Sequence, residues 1–425
     1  MEAGSKKIIA NIAWLFLDKA IHMTVGLVVG VWVTRYLGPE QFGLLSYAQA
    51  YVTLFSAVAS MGLDGIVVRN IVRDPGRAGV ILGSAFILKI AGGVFALFLA
   101  TGTIWIFYPE DMLTRWLVGI IAAGAIFHAF DTIDFWFQAN VSSKYTVYAK
   151  SLSFLLISTL KIFLIIGNAP LIAFAWAGLA EVVIGAMGMV AAYRARGYRI
   201  TGWRVSAVVG RDLIRDSWPM ILSGLVVMVY MRVDQIMLGG MIGPEAVGIY
   251  AAATRISEIW YFIPTAIITS VFPSIIKARQ VSEALYNRRL QVLFNLMVGL
   301  AYAITLPMTF MSDWVVSLLY GNDFLESGPV LSIHIWASVF VFLQISTGSW
   351  YINENLHVEA FLRYLTGAVL NIVLNLFLIP VFGAKGAAIA TICSFAVVVL
   401  LPAVFSGPYR KIFPAILRAI FLKWV

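Results

Sequence analysis

Eleven ionisable side chains lie within stretches of this chain that are otherwise apolar. The cations are Lys19, Lys89, Lys161, Arg232 and Arg255, and the acids are Asp18, Asp131, Asp134, Glu181, Asp234 and Glu258. If those stretches cross a bilayer, each charge at mid-depth costs roughly 2.5–3.5 kcal/mol against lipid, about 30 kcal/mol for the set. A folded protein has a margin of only about 5–15 kcal/mol. Most of these groups must therefore face protein or water. The chemistry open to them is the grip of an anion by Lys and Arg, and carriage of a proton or cation by Asp, Glu and His.

Spacing assigns roles and leaves structural alternatives beside them. Asp18 and Lys19 fall near the centre of the first stretch, and His22 can share their helical face. Lys19 suits a diphosphate, with Asp18 or His22 handling a coupling proton; a neutralised pair anchoring the helix would look the same. The Arg232 fork matches phosphate oxygens. Asp234, two residues on, points elsewhere, so each could equally sit in an interhelical ion pair. Arg255 and Glu258 are three apart and are expected to pair locally. Lys89 is deep enough to meet a headgroup, or could snorkel to the inner surface. Asp131 and Asp134 share a face, where two close carboxylates could hold one proton between them. Glu181 stands alone in mid-stretch as a proton carrier. The candidate anion binders are thus Lys19, Lys89, Lys161, Arg232 and Arg255. The candidate ion-coupling groups are Asp18, His22, Asp134, Glu181 and Asp234.

The elements that must position them are about twelve apolar segments of helix-spanning length. They run over roughly 8–33, 42–63, 80–107, 116–138, 146–167, 170–193, 218–240, 246–275, 290–311, 329–351, 361–381 and 386–408. The chain is 61% hydrophobic and 12% charged, half the charge of an ordinary soluble domain. With the N-terminus inside, the presumed inner segments hold 22 of the 30 Lys and Arg, Arg363 among them. The outer loops hold only Arg35, Arg115 and Lys385. That asymmetry is the positive-inside pattern, with both ends on the cytoplasmic side. The net charge of +9 then points to anionic phospholipid headgroups and not to nucleic acid. The run after Lys6 and Lys7 imitates a signal peptide but lacks a small-residue cleavage pattern, and reads as a retained first span.

Other features narrow the chemistry further. Cys393 is the single cysteine, and the four His are scattered, so no metal site is suggested. There is no Gly-x-x-x-x-Gly-Lys-Ser/Thr loop, and the chain is not expected to hydrolyse ATP or to need a cofactor. Segment 194–217 is rich in Arg, with Trp203, Val205, Val208, Val209 and Leu213 near helical spacing. It is expected to form a basic amphipathic helix on the inner leaflet. The tail from Tyr409 repeats that pattern, with Ile412, Phe413, Ile416, Leu417, Ile420 and Phe421 on one face. Phe135-Trp136-Phe137, Trp260-Tyr261-Phe262 and Trp350-Tyr351 read as interfacial aromatic belts. Pro264, Pro273 and Pro307 are expected to bend their helices, and Pro219 to sit in a first turn.

The chain also repeats itself. Leu37-Gly38-Pro39-Glu40-Gln41-Phe42-Gly43-Leu44 and Ile242-Gly243-Pro244-Glu245-Ala246-Val247-Gly248-Ile249 share one pattern at an offset of 205 residues. Gly-Pro makes a tight turn, and Glu follows at the positive end of the next helix. Two copies of six spans each enter the membrane with the same orientation, which makes the repeats parallel, with a site at mid-depth. The charges are not duplicated: Arg232 maps to Leu27, and Asp18-Lys19 to Ser223-Gly224. The expected architecture is an all-α integral membrane protein of about twelve helices in two parallel six-helix halves around a central cavity. Residues 1–200 and 201–408 form the halves, and 409–425 a basic amphipathic tail.

The stretch from Asn11 to Pro75 resembles the bacterial polysaccharide flippases, the O-antigen and exopolysaccharide exporters of the multidrug/oligosaccharidyl-lipid/polysaccharide transporter superfamily. Asn11-Ile12-Ala13-Trp14-Leu15, Arg35 to Gly43, and Gly62-Leu63-Asp64-Gly65-Ile66-Val67-Val68-Arg69 carry the likeness, with Val233 to Gly239 in the second copy. The resemblance implies a transporter, not an enzyme, in the inner membrane. It would turn an oligosaccharide on undecaprenyl diphosphate from one leaflet to the other by alternating access, with cation antiport as a driving force. A polysaccharide polymerase and glycosyltransferases are partners such an exporter could have. The alternatives are a multidrug or cation antiporter of the same superfamily, and a membrane glycosyltransferase or polymerase.

Overall fold

A computed structural model describes residues 2–423, with side chains at Trp14, Lys19 and from Ile21 onward. Among the described residues there is no strand. The helices are α1 (Glu2–Leu54), α2 (Ser56–Ser60), α3 (Asp64–Arg73), α4 (Ala78–Phe107), α5 (Met112–Phe127), α6 (Asp131–Ala139), α7 (Lys144–Ile166), α8 (Leu171–Ala195) and α9 (Ala207–Met241). They continue with α10 (Pro244–Glu258), α11 (Phe262–Val281), α12 (Glu283–Tyr320), α13 (Ser327–His334), α14 (Ala337–Asn353), α15 (His357–Leu400), α16 (Pro402–Phe405) and α17 (Gly407–Ile420). Ten helical runs are long and apolar enough to cross a membrane. Two of them, Ile21–Leu54 and His357–Phe405, contain a non-helical glycine, Gly38 (φ 69°) and Gly383 (φ 56°). Divided there, the runs follow the twelve expected segments in order. This is an all-α, multi-pass membrane fold.

The chain folds as two compact units: Met1–Leu37 with Leu44–Met228, and Gly38–Gly43 with Val229–Val425. In the first, α4 packs on α5, α7 on α8, and α5 on α8. Leu63, Val67, Ile71, Leu82, Phe135 and Leu213 form one apolar core. Asp111 caps α5 by accepting from the Thr114 N–H at 3.0 Å. The expected fourth span breaks into α5 and α6 at a 3-10 turn, His128–Phe130. In the second unit the eighth span breaks likewise at Ile259–Tyr261. That turn, and not Pro264, interrupts the helix: Pro264 falls in the first turn of α11, where no intrahelical donor is lost. Pro219, expected in a first turn, instead lies inside α9.

The helix expected over 194–217 forms only from Ala207, as the first turns of α9. The α8 helix stops at Ala195, Gly197 takes a left-handed φ of 83°, and Arg199 and Trp203 are extended. Residues 203–205 lie along the start of α4, where the Arg204 N–H donates to the Gly79 carbonyl at 3.1 Å. Gly83 permits that approach, because a side chain there would fall on the Arg204 backbone. Val209 and Leu213 turn into the core and leave Val205 and Val208 exposed.

The tail is helical as expected, but its apolar face covers protein. Tyr409, Ile412, Ile416 and Ala419 are buried in the second unit's core, and the Gln291 side-chain amide donates to the Ala415 carbonyl at 2.9 Å. The expected aromatic belts are also core. Phe135 and Phe137 are buried in the first unit, Trp350 and Tyr351 in the second, and Trp260 and Tyr261 pack against that same core.

The two copies of the repeated turn meet within the second unit. Gly38 and Gly243 both hold positive φ, 69° and 128°, each followed by proline at the start of a helix. Their glutamates, Glu40 and Glu245, line one cavity of about 850 Å³ together with Glu326 and Lys385.

Candidate functional site

The first unit encloses a cavity of about 960 Å³, at the upper end of the range for small-molecule sites. Its walls are mainly apolar and small, from α2, α4, α5 and α8, and five titratable groups break them: Asp64, Arg69, Lys89, His128 and Asp131. Lys89 is the most enclosed, at 2% exposure. Its ammonium lies 4.8 Å above the Phe135 ring and 3.5 Å from Asp64 Oδ1. The α4 backbone can hold a lysine there because Gly92 and Gly93, one turn on, let neighbouring helices close in. Asp64 sits in the first turn of α3, where the helix dipole favours its charge, and its side chain is 67% exposed. An ammonium has three donors, and with its nearest carboxylate at 3.5 Å and largely solvated, Lys89 retains donors for a further anion. Snorkelling to the inner surface, the other expectation for Lys89, does not occur.

Asp131 and Asp134 do not form the expected proton-sharing pair. Lys150 donates to Asp131 Oδ1 at 3.0 Å and lies 3.9 Å from Asp134 Oδ2. His128 Nδ1 is 3.2 Å from Asp131 Oδ2. Thr146 and Gln138 donate to Asp134 at 2.7 and 3.0 Å. The Lys150 ammonium thus lies between the two carboxylates. Arg69 is salt-bridged to Asp216 at 2.5 Å, with both side chains half exposed.

The structure places the other predicted residues apart from this cavity. Glu181, expected to be alone, is paired with Lys161 at 3.2 Å across α7 and α8, and neither residue lines the cavity. Lys19 is exposed. His22 stacks on Phe154 with ring centroids 4.1 Å apart. The Asp18 side chain lies outside the described residues.

In the second unit Glu258 is partnered by Arg232 and not by Arg255. Both prongs of the Arg232 guanidinium reach the carboxylate at 3.4 Å. Arg255 is exposed, with its guanidinium 4.5 Å over the Phe42 ring. The 3-10 turn after Glu258 ends the helix and frees the carboxylate to turn toward α9.

Asp234 has a different environment. It is 3% exposed. Its Oδ2 accepts from Tyr250 at 2.8 Å and Thr391 at 2.6 Å, and its Oδ1 from the Asn375 amide at 2.6 Å. Asn375 also donates to Asn371 Oδ1 at 3.0 Å. Among the described residues no cation lies within salt-bridge distance of Asp234. Two polar atoms of the same cluster, Asn375 Oδ1 and Asn371 Nδ2, are buried without partners. The cluster thus meets one buried carboxylate with three hydrogen-bond donors and leaves one amide oxygen, Asn375 Oδ1, free.

Sequence reading missed Asp64, His128 and Lys150 around the first cavity, and Asn371, Asn375 and Thr391 around Asp234. Two asparagines four residues apart in an apolar span were a legible signal, because amides in lipid need partners. The partners of Lys89 carried no such mark. Arg363, counted with the inner-surface charges, is 1% exposed.

Several known proteins are similar to this chain. It is 34% identical over 227 residues to "Probable flippase AglR" of Haloferax volcanii, a match covering 50% of this chain and 44% of that protein. It is 24% identical over 206 residues to "Probable low-salt glycan biosynthesis flippase Agl15" of the same organism, covering 48% and 43%. The matches thus span less than half the length of these curated relatives. Among solved structures it is similar to an inward-facing multidrug resistance MATE family transporter of the MOP superfamily (TM-score 0.71, 16% identity, 96% of this chain and 99% of that one). It is also similar to the lipid II flippase MurJ in an inward closed conformation (TM-score 0.70, 14% identity, 97% and 91%). At these identities the likeness concerns the fold. A family model described as "Polysaccharide biosynthesis protein" matches residues 8–279, more than half of the chain, and the protein belongs to that family.

Proposed function

We propose that this protein flips lipid-linked oligosaccharides across the cytoplasmic membrane by alternating access, with both termini on the inner side. The observation that carries this reading is the first unit's cavity, where buried Lys89 keeps a free capacity for an anion among apolar walls. A polyprenyl diphosphate joined to a glycan is such an anion, and undecaprenyl diphosphate is the carrier we assign. Lys89 grips one phosphate. Lys19, in the same unit, is an exposed cation. Family membership and the flippase names of the relatives support the cargo class.

Asp234 is the coupling site in this reading. Its carboxylate, the free Asn375 oxygen, Asn371 and Thr391 supply oxygens for a proton or a small monovalent cation. Anionic phospholipids fit the exposed Arg410, Lys411 and Arg418 of α17.

The test replaces Lys19, Lys89 and Arg232 singly with Ala and measures surface glycan at equal protein level. Loss of export with Lys89→Ala is expected, and full export from all three variants would remove the charge-grip reading. A drug exporter is the second reading, since a MATE transporter shares the fold. It predicts altered resistance to cationic compounds on overproduction, and a buried ammonium in the cavity opposes cationic cargo. A glycosyltransferase would transfer sugar from a nucleotide donor in purified form, and no transfer is expected.

A further inference from the structure

Arg363, near the start of α15, is 1% exposed. Its Nη1 donates to Thr347 Oγ1 at 2.9 Å and its Nη2 to the Tyr364 hydroxyl at 3.2 Å, while Nε has no partner. Both acceptors are neutral. Among the described residues no carboxylate reaches it within salt-bridge distance. Glu354 is held by both prongs of Arg279, at 2.5 and 3.2 Å. Glu359 lies one turn earlier on α15 and is partly exposed.

A guanidinium does not give up its proton inside a protein. A buried cation without a counter-charge is strongly destabilising. The rings of Tyr351 and Tyr364, 4.4 and 4.7 Å from the guanidinium carbon, offset part of that through their π-faces. Each group left unused around Arg363 can donate. The Nε–H is free, and the Tyr351 and Tyr230 hydroxyls are buried without partners. Tyr230 belongs to the same cluster, with its ring 6.1 Å from that of Tyr364. Free donors around one fixed positive charge are complementary to an anion that only accepts.

Size restricts the anion further. Arg363 is 1% exposed, so a bulky lipid phosphate at the surface does not reach it. A Cβ at Gly348 would stand 3.5 Å from Nη2, ordinary contact distance, so α14 packs directly on the guanidinium. We propose that Arg363, Tyr351 and Tyr230 form a site for one small monovalent anion, with chloride the occupant in the cell. The bound anion neutralises Arg363 and ties α14 to α15. Through the stack of Tyr351 on Tyr409, with centroids 5.6 Å apart, it also steadies α17. This site is independent of the transport reading.

The test uses the purified full chain in neutral detergent, with gluconate as the only anion, titrated with chloride or bromide while the thermal unfolding midpoint is followed. The wild type is expected to show a saturable rise in midpoint. Arg363→Gln abolishes it, and Tyr351→Phe raises the half-saturating concentration about tenfold by removing one hydrogen bond to a charged ligand. Should Arg363→Gln not fold, Tyr351→Phe carries the test. Glu359→Gln leaves the response unchanged. No halide response in the wild type overturns the proposal, as does one that survives in Arg363→Gln or is unaltered in Tyr351→Phe. A response that appears only in Glu359→Gln also overturns it, and assigns Glu359 as the counter-charge.

Discussion

Gly43 and Gly248 pack reciprocally: a side chain at Gly43 would land on the Pro244 carbonyl oxygen, and one at Gly248 on the Pro39 carbonyl oxygen. The second glycine of each repeated turn therefore exists to accommodate the proline of the other. The motif is duplicated because the copies meet, and not only because each makes a good hairpin. Gly43→Ala and Gly248→Ala should each destabilise the protein by about 3 kcal/mol, since the obstacle is backbone and cannot rotate away. Gly30→Ala, with no heavy atom within 4 Å of the added carbon, should be neutral. Thermal midpoints of the three purified variants check this.

How much was legible in the sequence follows from what each signal encodes. The spans were legible because apolar length is a local property, and Gly38 and Gly383 marked breaks that helical periodicity alone would run through. Pairings were not, because helical spacing reports neighbours on one helix only. Glu258 sits three residues from Arg255 yet takes Arg232 from another helix. Glu181 looked solitary because Lys161 is on a different span. The segment after Ala195 misled for a related reason. Its apolar residues recur at helical spacing, but Gly197 and the extended Arg199 and Trp203 interrupt the helix, and only Trp203, Val209 and Leu213 reach the core while Val205 and Val208 stay exposed.

Asp234→Asn should fold, since an amide can still meet Tyr250, Thr391 and Asn375. It should lose any stabilisation by the coupling ion. For a bound ion at a hundred times its dissociation constant that stabilisation is about 2.7 kcal/mol. Thermal midpoints measured across sodium, lithium and pH should rise in the wild type and stay flat in the variant. Parallel curves would place the ion elsewhere.

Lys161 and Glu181 are each about a quarter exposed and span α7 and α8. Removing one leaves the other charge unpaired in an apolar setting, which costs about 3 kcal/mol. Lys161→Met and Glu181→Leu should each lower stability, and the double variant should recover most of the loss. A double-mutant cycle on unfolding midpoints measures the coupling directly.

The apolar face of α17 holds the second unit together. Ile416 is fully buried there, so Ile416→Ala should cost about 2–5 kcal/mol. Lys423→Gln, at the exposed end, should change stability by less than about 0.5 kcal/mol. Equal effects would show the helix lying on lipid instead of on the core.

Purified protein in proteoliposomes, supplied with a fluorescent oligosaccharide on a polyprenyl diphosphate, tests the role of the buried ammonium most directly. The rate at which the label crosses the bilayer is compared for wild type, Lys89→Arg and Lys89→Gln. The cavity reading predicts that Lys89→Gln slows crossing by at least about tenfold, the worth of a lost charge-assisted bond, and that Lys89→Arg retains much of the rate. Crossing by Lys89→Gln at the wild-type rate would contradict it.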